Sequence, residues 1–176
     1  FGFKLQFEIK KNTIISSNGL FMKNNYLNFY NNLIQLTRNK VLYENFKDND
    51  EFSDRLIFLL IHLSFFFKAF KSEDNNNMLQ EIYDFVFRQL ELSIREIGYG
   101  DQSINKKMKD YLNLFHSLLD KIHFWDDYTL KKKTKIFDDM IEKSSNNHQL
   151  VNYFDNFCSK LSKYNLNSYL KSVSNQ

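Results

Sequence analysis

Four histidines, one cysteine and 21 acidic side chains are the groups in this sequence able to carry acid–base, nucleophilic or metal chemistry. A helical zinc site needs two histidines one turn apart with a carboxylate beside them, because that spacing aims the ring nitrogens at one ion. His116 and His123 stand seven residues apart and so share a helix face, but no carboxylate occupies the position such a site requires. The histidines read as ordinary polar or packed side chains, and no metal is expected. His62 sits inside an apolar run, where a histidine either packs in the core with a hydrogen-bond partner or lines a functional groove. Cys158 is the single cysteine; it forms no internal disulfide and no thiolate cluster, which suits a reducing compartment. Phe154, Phe157 and Leu161 flank it at helical spacing, so a buried, inert thiol is expected. No serine stands in a nucleophile-elbow motif with partners in order. Catalysis requires a preorganised set of such groups, and none can be assembled here. The chain is read as a non-enzyme without a cofactor.

The other chemistry-bearing stretch is Arg95-Glu96-Ile97-Gly98-Tyr99-Gly100-Asp101-Gln102-Ser103-Ile104-Asn105-Lys106-Lys107-Met108-Lys109. Its glycines do not make a nucleotide loop, which follows a strand and needs a third glycine, and no Gly-Lys-Ser/Thr occurs. What remains is a helix, a two-glycine turn and a second helix whose first two turns are basic. Gly98 falls where a left-handed residue would stop the first helix. Asp101 or Ser103 is placed to cap the second. Residues 102–135 hold eight lysines against four aspartates, a net of +4 where the whole chain carries +3. Such concentrated charge suits rRNA phosphates, anionic lipid head groups or an acidic protein surface. Lys131–Lys133 fit a solvated helix face equally well.

The elements that must position these residues are helical. There is no proline and there are four glycines in 176 residues, so helix breakers are rare. A hydrophobic fraction of 43% excludes a disordered chain, and the length suits one domain. Abundant Phe and Asn, and Lys in place of Arg, match AT-rich codons and are read as genome bias. Apolar periodicity predicts helices over 25–39, 51–71, 78–97, 101–122, 128–143 and 149–164, a short piece at 41–46 and a tail helix at 166–173. The expected fold is all-α, a single-domain bundle of six to seven helices. Residues 51–71 are apolar nearly all round, which predicts the central helix, with Asp50 or Ser53 as its cap and Glu51 and Asp54 in its first turn. Its longest apolar run, Leu56 to Phe67, is shorter than the span of about 20 residues a membrane requires. Phe1, Phe3, Leu5, Phe7 and Ile9 alternate as in a strand. The chain starts at Phe1 and its first methionine is Met22, so residues 1–21 are expected to be upstream sequence or the cut end of a longer frame. Residues 1–24 are accordingly read as a poorly structured or strand-like extension, and 25–174 as the helical domain.

The Arg95–Lys109 stretch resembles the signature of the ubiquinol–cytochrome c chaperone family, where an arginine and an acidic residue precede a Gly-x-Gly-Asp turn and a basic helix follows. Tyr30-Asn31-Asn32-Leu33-Ile34 with Arg38 and Tyr43 is similar to the family's opening helix. Phe52 to Leu63 is similar to its apolar, histidine-bearing helix. The resemblance covers residues 26–120 well and the remainder more loosely. It implies an all-α fold and a non-enzymatic assembly factor for the cytochrome bc1 complex (respiratory complex III). The client it implies is newly made cytochrome b, with the ribosome exit region and a small partner subunit as further partners. The location implied is the cytoplasmic face of a bacterial inner membrane, soluble or peripherally attached, or the mitochondrion in a eukaryote. The contact residues implied are Arg95, Glu96, Gly98, Tyr99, Gly100, Asp101, Lys106, Lys107, Lys109 and His62. A hydrophobic client calls for an accessible apolar surface; a groove including Tyr99 or Trp125 is one candidate and the Phe-rich helix another, although an all-round apolar helix belongs in the core. The competing reading is a nucleic-acid binder using 78–98 and 104–122 as a helix-turn-helix. Against it, the second helix carries Lys106, Lys107 and Lys109 but no Arg, Gln or Asn set suited to base edges beyond Asn105, so no specific DNA target is expected. An enzyme acting on a buried lipid-like substrate is a third reading, disfavoured by the missing catalytic set.

Overall fold

The computed structural model describes residues 17–44, 46, 52–141 and 147–174, with the backbone alone at 17–23. The Phe1–Ile9 alternation and the roles expected of Asp50 and Glu51 lie outside these residues. Seven α-helices and no strand occur among the described residues: α1 Ser17–Thr37, α2 Phe52–Phe70, α3 Asn76–Glu96, α4 Asp101–Ile122, α5 Leu130–Asp138, α6 His148–Leu161 and α7 Leu166–Ser174. Short 3-10 turns at Lys40–Tyr43 and Trp125–Asp127 link α1 to α2 and α4 to α5. The chain is an all-α single-domain bundle. The first helix starts at Ser17, eight residues before the expected Asn25.

The central position of α2 follows from the 100° that separates successive side chains on a helix. Phe65 points to α6 and the Trp125 turn, stacking on Phe154 at 5.0 Å and meeting the Trp125 ring edge-on at 4.9 Å. Phe66 turns to α1 and α7, 4.4 Å from Phe29 and 5.6 Å from Tyr169. Phe67 faces α4, 5.4 Å from Phe115. Three consecutive phenylalanines thus meet three different neighbours. Phe65 and Phe66 are fully buried, each stabilising the fold by about 1.5–3 kcal/mol, and Phe67 is half-buried.

The apolar stripe of α3, Leu79, Ile82, Val86, Leu90 and Ile94, is buried as its helical spacing predicts, and the buried face extends beyond it. Tyr83 and Phe87 are buried, while Phe85 is half-buried and Ile97 is exposed. The helix lies between two partners: Tyr83 and Phe87 pack on Phe115 of α4, and Glu81 and Ser93 meet Tyr26 and Tyr30 of α1. A helix so placed buries a face wider than a single stripe. Ile97 follows the last helical residue and leads into the turn, so it carries no packing role.

α5 and α6 end earlier than their periodicity suggests, α5 also starts two residues later, and α7 matches its expected span to within one residue. In α5, Thr129 caps the start through the Lys132 amide, and Asp138 and Asp139 oppose the dipole at its end. α6 stops at Leu161, and Asn165 and Ser168 then exchange side chain-to-amide hydrogen bonds of 2.8 and 3.0 Å, a reciprocal cap that starts α7.

Candidate functional site

The turn between α3 and α4 collects most of the expected contact residues. Gly98 has φ +100°, the left-handed conformation that terminates α3, and its amide donates to the Arg95 carbonyl at 2.9 Å. Gly100, not Asp101 or Ser103, is the N-cap of α4; its carbonyl accepts from the Ile104 amide at 3.0 Å. Asp101 is already inside the first turn, where a carboxylate suits the helix dipole, and instead of capping it binds the guanidinium of Arg95. Arg95 also reaches Glu91 one turn back on α3, 2.9 Å away, so one arginine ties the end of α3 to the start of α4. Glu96 is the exposed last residue of α3.

Tyr99 projects from the turn and is 42% exposed, with the Lys107 ammonium 4.5 Å from its ring centre. A pocket of about 230 Å³ opens beside it, lined by Phe52, Ser53, Ile94, Tyr99, Lys107 and Tyr111. That is smaller than the roughly 300–1,000 Å³ of cofactor-sized sites and is of a scale to admit one side chain. Phe52 and Ile97 are also about half exposed, and Lys106 and Lys109 are open to solvent. The pocket is therefore aromatic with Lys107 at its α4 wall, while Lys106 and Lys109 are exposed on other sides of the same helix turn. Phe52 and Tyr111 were legible only as parts of apolar stripes; position at a helix start, where few neighbours surround a side chain, is the signal for Phe52.

His62 stands apart from this turn. It is fully buried, and its ring contacts Tyr153, Phe154 and Phe157 of α6. Nδ1–H donates to the Phe58 carbonyl at 2.7 Å, which leaves Nε2 to accept from the Tyr153 hydroxyl at 2.8 Å. Burial lowers its pKa to about 4, so the ring is neutral. Of its two expected roles, the core one is realised, and none of the residues that hold it comes from the turn. Trp125 is likewise fully buried: its indole N–H donates to Asp155 at 2.7 Å, so it does not line an accessible groove. Lys133 shares Asp155 at 2.9 Å and lies 5.0 Å from the Trp125 ring, a structural role rather than a solvated one.

Burial pushes the Cys158 thiol up to about 11, far from a reactive thiolate. Among the described residues no group of three or more His, Cys, Asp or Glu side chains could hold a metal ion. No helix among them is long and apolar enough to cross a membrane.

Fold and geometry together describe a helical protein with an exposed aromatic pocket at one interhelical turn. The chain belongs to the ubiquinol-cytochrome C chaperone family, whose model matches residues 44–170, a stretch that includes the whole of this turn. Among curated proteins and among solved structures, none matches the chain. Family membership supports a chaperone and assembly role for complex III, and with it a non-enzymatic one.

Proposed function

We propose that the chain binds newly made cytochrome b on its way into the bc1 complex, and that the α3–α4 turn is where it does so. The observation that carries this reading is the composition of the exposed face: Tyr99 and Phe52 line one pocket sized for a side chain, and Lys106, Lys107 and Lys109 stand on the adjoining helix. An aromatic pocket receives an apolar side chain of a membrane protein, while the lysines attract acidic loops or rRNA phosphates near the ribosome exit. The Arg95–Asp101 link holds the turn in one shape, so its conformation is ready before the client arrives. Attachment to the inner membrane is then peripheral, through the same basic helix.

The test is to purify tagged protein from its own membranes in mild detergent and identify what accompanies it by mass spectrometry. Cytochrome b is expected to be enriched, and to be lost from the Lys106→Glu/Lys109→Glu variant. Recovery of nucleic acid or of unrelated proteins without cytochrome b would contradict the reading.

A further inference from the structure

The pocket beside Tyr99 holds a charge that the fold does not answer. Lys107 is half-buried in its α4 wall, with the ammonium 4.5 Å from the centre of the Tyr99 ring. A ring face attracts a cation but is no substitute for a hydrogen-bond acceptor, so the N–H donors of the ammonium stay unmet. Among the described residues no carboxylate lines the pocket, and Lys107 takes part in no ion pair. The acidic side chains of the turn are placed elsewhere. Glu91 and Asp101 hold Arg95, and Glu96 acts on Tyr30 of α1. Asp110, one turn along α4, is exposed and does not pair with Lys107.

The rest of the lining is Phe52, Ile94, the rings of Tyr99 and Tyr111, and Ser53. A volume of about 230 Å³ admits one side chain. An occupant must therefore bring an apolar group for the rings and an anionic group for Lys107 to the same place. Aspartate and glutamate bring the charge without the apolar group. In an extended chain successive side chains point to opposite sides, so an acidic neighbour of the seated residue is turned away from Lys107. The last residue of a polypeptide meets both demands from one Cα, which bears its side chain and a carboxylate that is ionised at neutral pH.

We propose that this pocket captures the C-terminus of a polypeptide whose last side chain is apolar, that side chain lying among Phe52, Ile94 and Tyr111 and its carboxylate on the Lys107 ammonium. The inference rests on the reading of this turn as partner-binding and names the part of the partner that enters it.

Fluorescence anisotropy of the full chain with the labelled peptide Gly-Ser-Gly-Ser-Leu tests the proposal. The free acid is expected to bind one-to-one. Its C-terminal amide, the same peptide ending in glycine, and an amidated peptide with an internal Leu-Asp pair are each expected to bind at least about tenfold more weakly. Lys107→Gln should bring acid and amide to the same affinity. Lys121→Gln, at an exposed lysine of the same helix, should leave the affinity for the acid unchanged. Absence of binding by the free acid, equal binding of acid and amide, equal binding of the internal Leu-Asp peptide, or indifference to Lys107→Gln would overturn the proposal. Cytochrome b takes no part in this measurement. If peptide capture fails while cytochrome b still co-purifies, the client reading stands without it; if capture is seen and cytochrome b does not co-purify, that reading falls and the pocket's specificity remains.

Discussion

His62 has both ring nitrogens engaged, one by a helix carbonyl and one by the Tyr153 hydroxyl, in surroundings that exclude water. Its pKa is about 4 in the fold against 6.5 in the unfolded chain, so below pH 6.5 the unfolded state takes up a proton that the native state refuses. Its contribution to stability is therefore complete above pH 6.5 and is lost as the pH falls towards 4, on the order of 3 kcal/mol across the window. Urea midpoints measured across that range should fall more steeply for the parent than for His62→Gln; parallel slopes would contradict the assignment. Cys158 gives a second check at this scale. With its thiol raised to about 11, alkylation at mildly basic pH should be slow and should accelerate at least about tenfold once urea unfolds the chain. His62 was legible as core from the apolar side chains around it, whereas Cys158, expected buried, is half-buried against the core. Which ring nitrogen of His62 meets which partner was not legible, because Tyr153 lies 91 residues away and only the fold brings it near.

The α3–α4 turn separates two glycines that look alike in sequence. Gly98 sits at φ +100°, and a side chain there would meet nothing within 4 Å, so its need for glycine is conformational and not steric. Gly98→Ala should cost about 1–2 kcal/mol of stability by urea denaturation. Gly100, at φ −72° and ψ 156°, is in extended backbone with the same open space, and Gly100→Ala should be within about 0.5 kcal/mol of the parent. Equal effects would mean that the turn is held differently. Arg95→Ala should leave the urea midpoint unchanged, because its ion pairs are exposed, while weakening recovery of cytochrome b, and undiminished recovery would contradict a role for the Arg95–Asp101 link in shaping the turn. The helix stop at Gly98 could be read from the sequence, since one residue type satisfies the backbone there. The width of the buried face of α3 could not: Leu79, Ile82, Val86, Leu90 and Ile94 follow from its periodicity, but the burial of Tyr83 and Phe87 rather than Phe85 and Ile97 is decided by α4 and α1 packing on two sides.

At the scale of the whole molecule, α2 is the element on which the others depend. Its composition announced that position, because a helix apolar all round has to be covered on every side. What the sequence did not disclose is that Trp125, a candidate for an accessible groove, closes the core instead, drawn in by Asp155 of α6. Phe66→Ala removes a fully buried ring that joins α1, α2 and α7, at a cost of about 3–5 kcal/mol against a total of roughly 5–15 for a domain of this kind. Thermal unfolding should remain one transition and shift well downward. The surface left exposed around Tyr99 is then available for a partner without loosening the core. The most direct test of that role is the amount of assembled bc1 complex, resolved on native gels, in cells depleted of the protein and supplied with either the parent or the Lys106→Glu/Lys109→Glu variant. The parent should restore both the complex and cytochrome b, and the variant, folded to the same degree, should not. Full assembly in depleted cells, or equal rescue by the variant, would contradict the account.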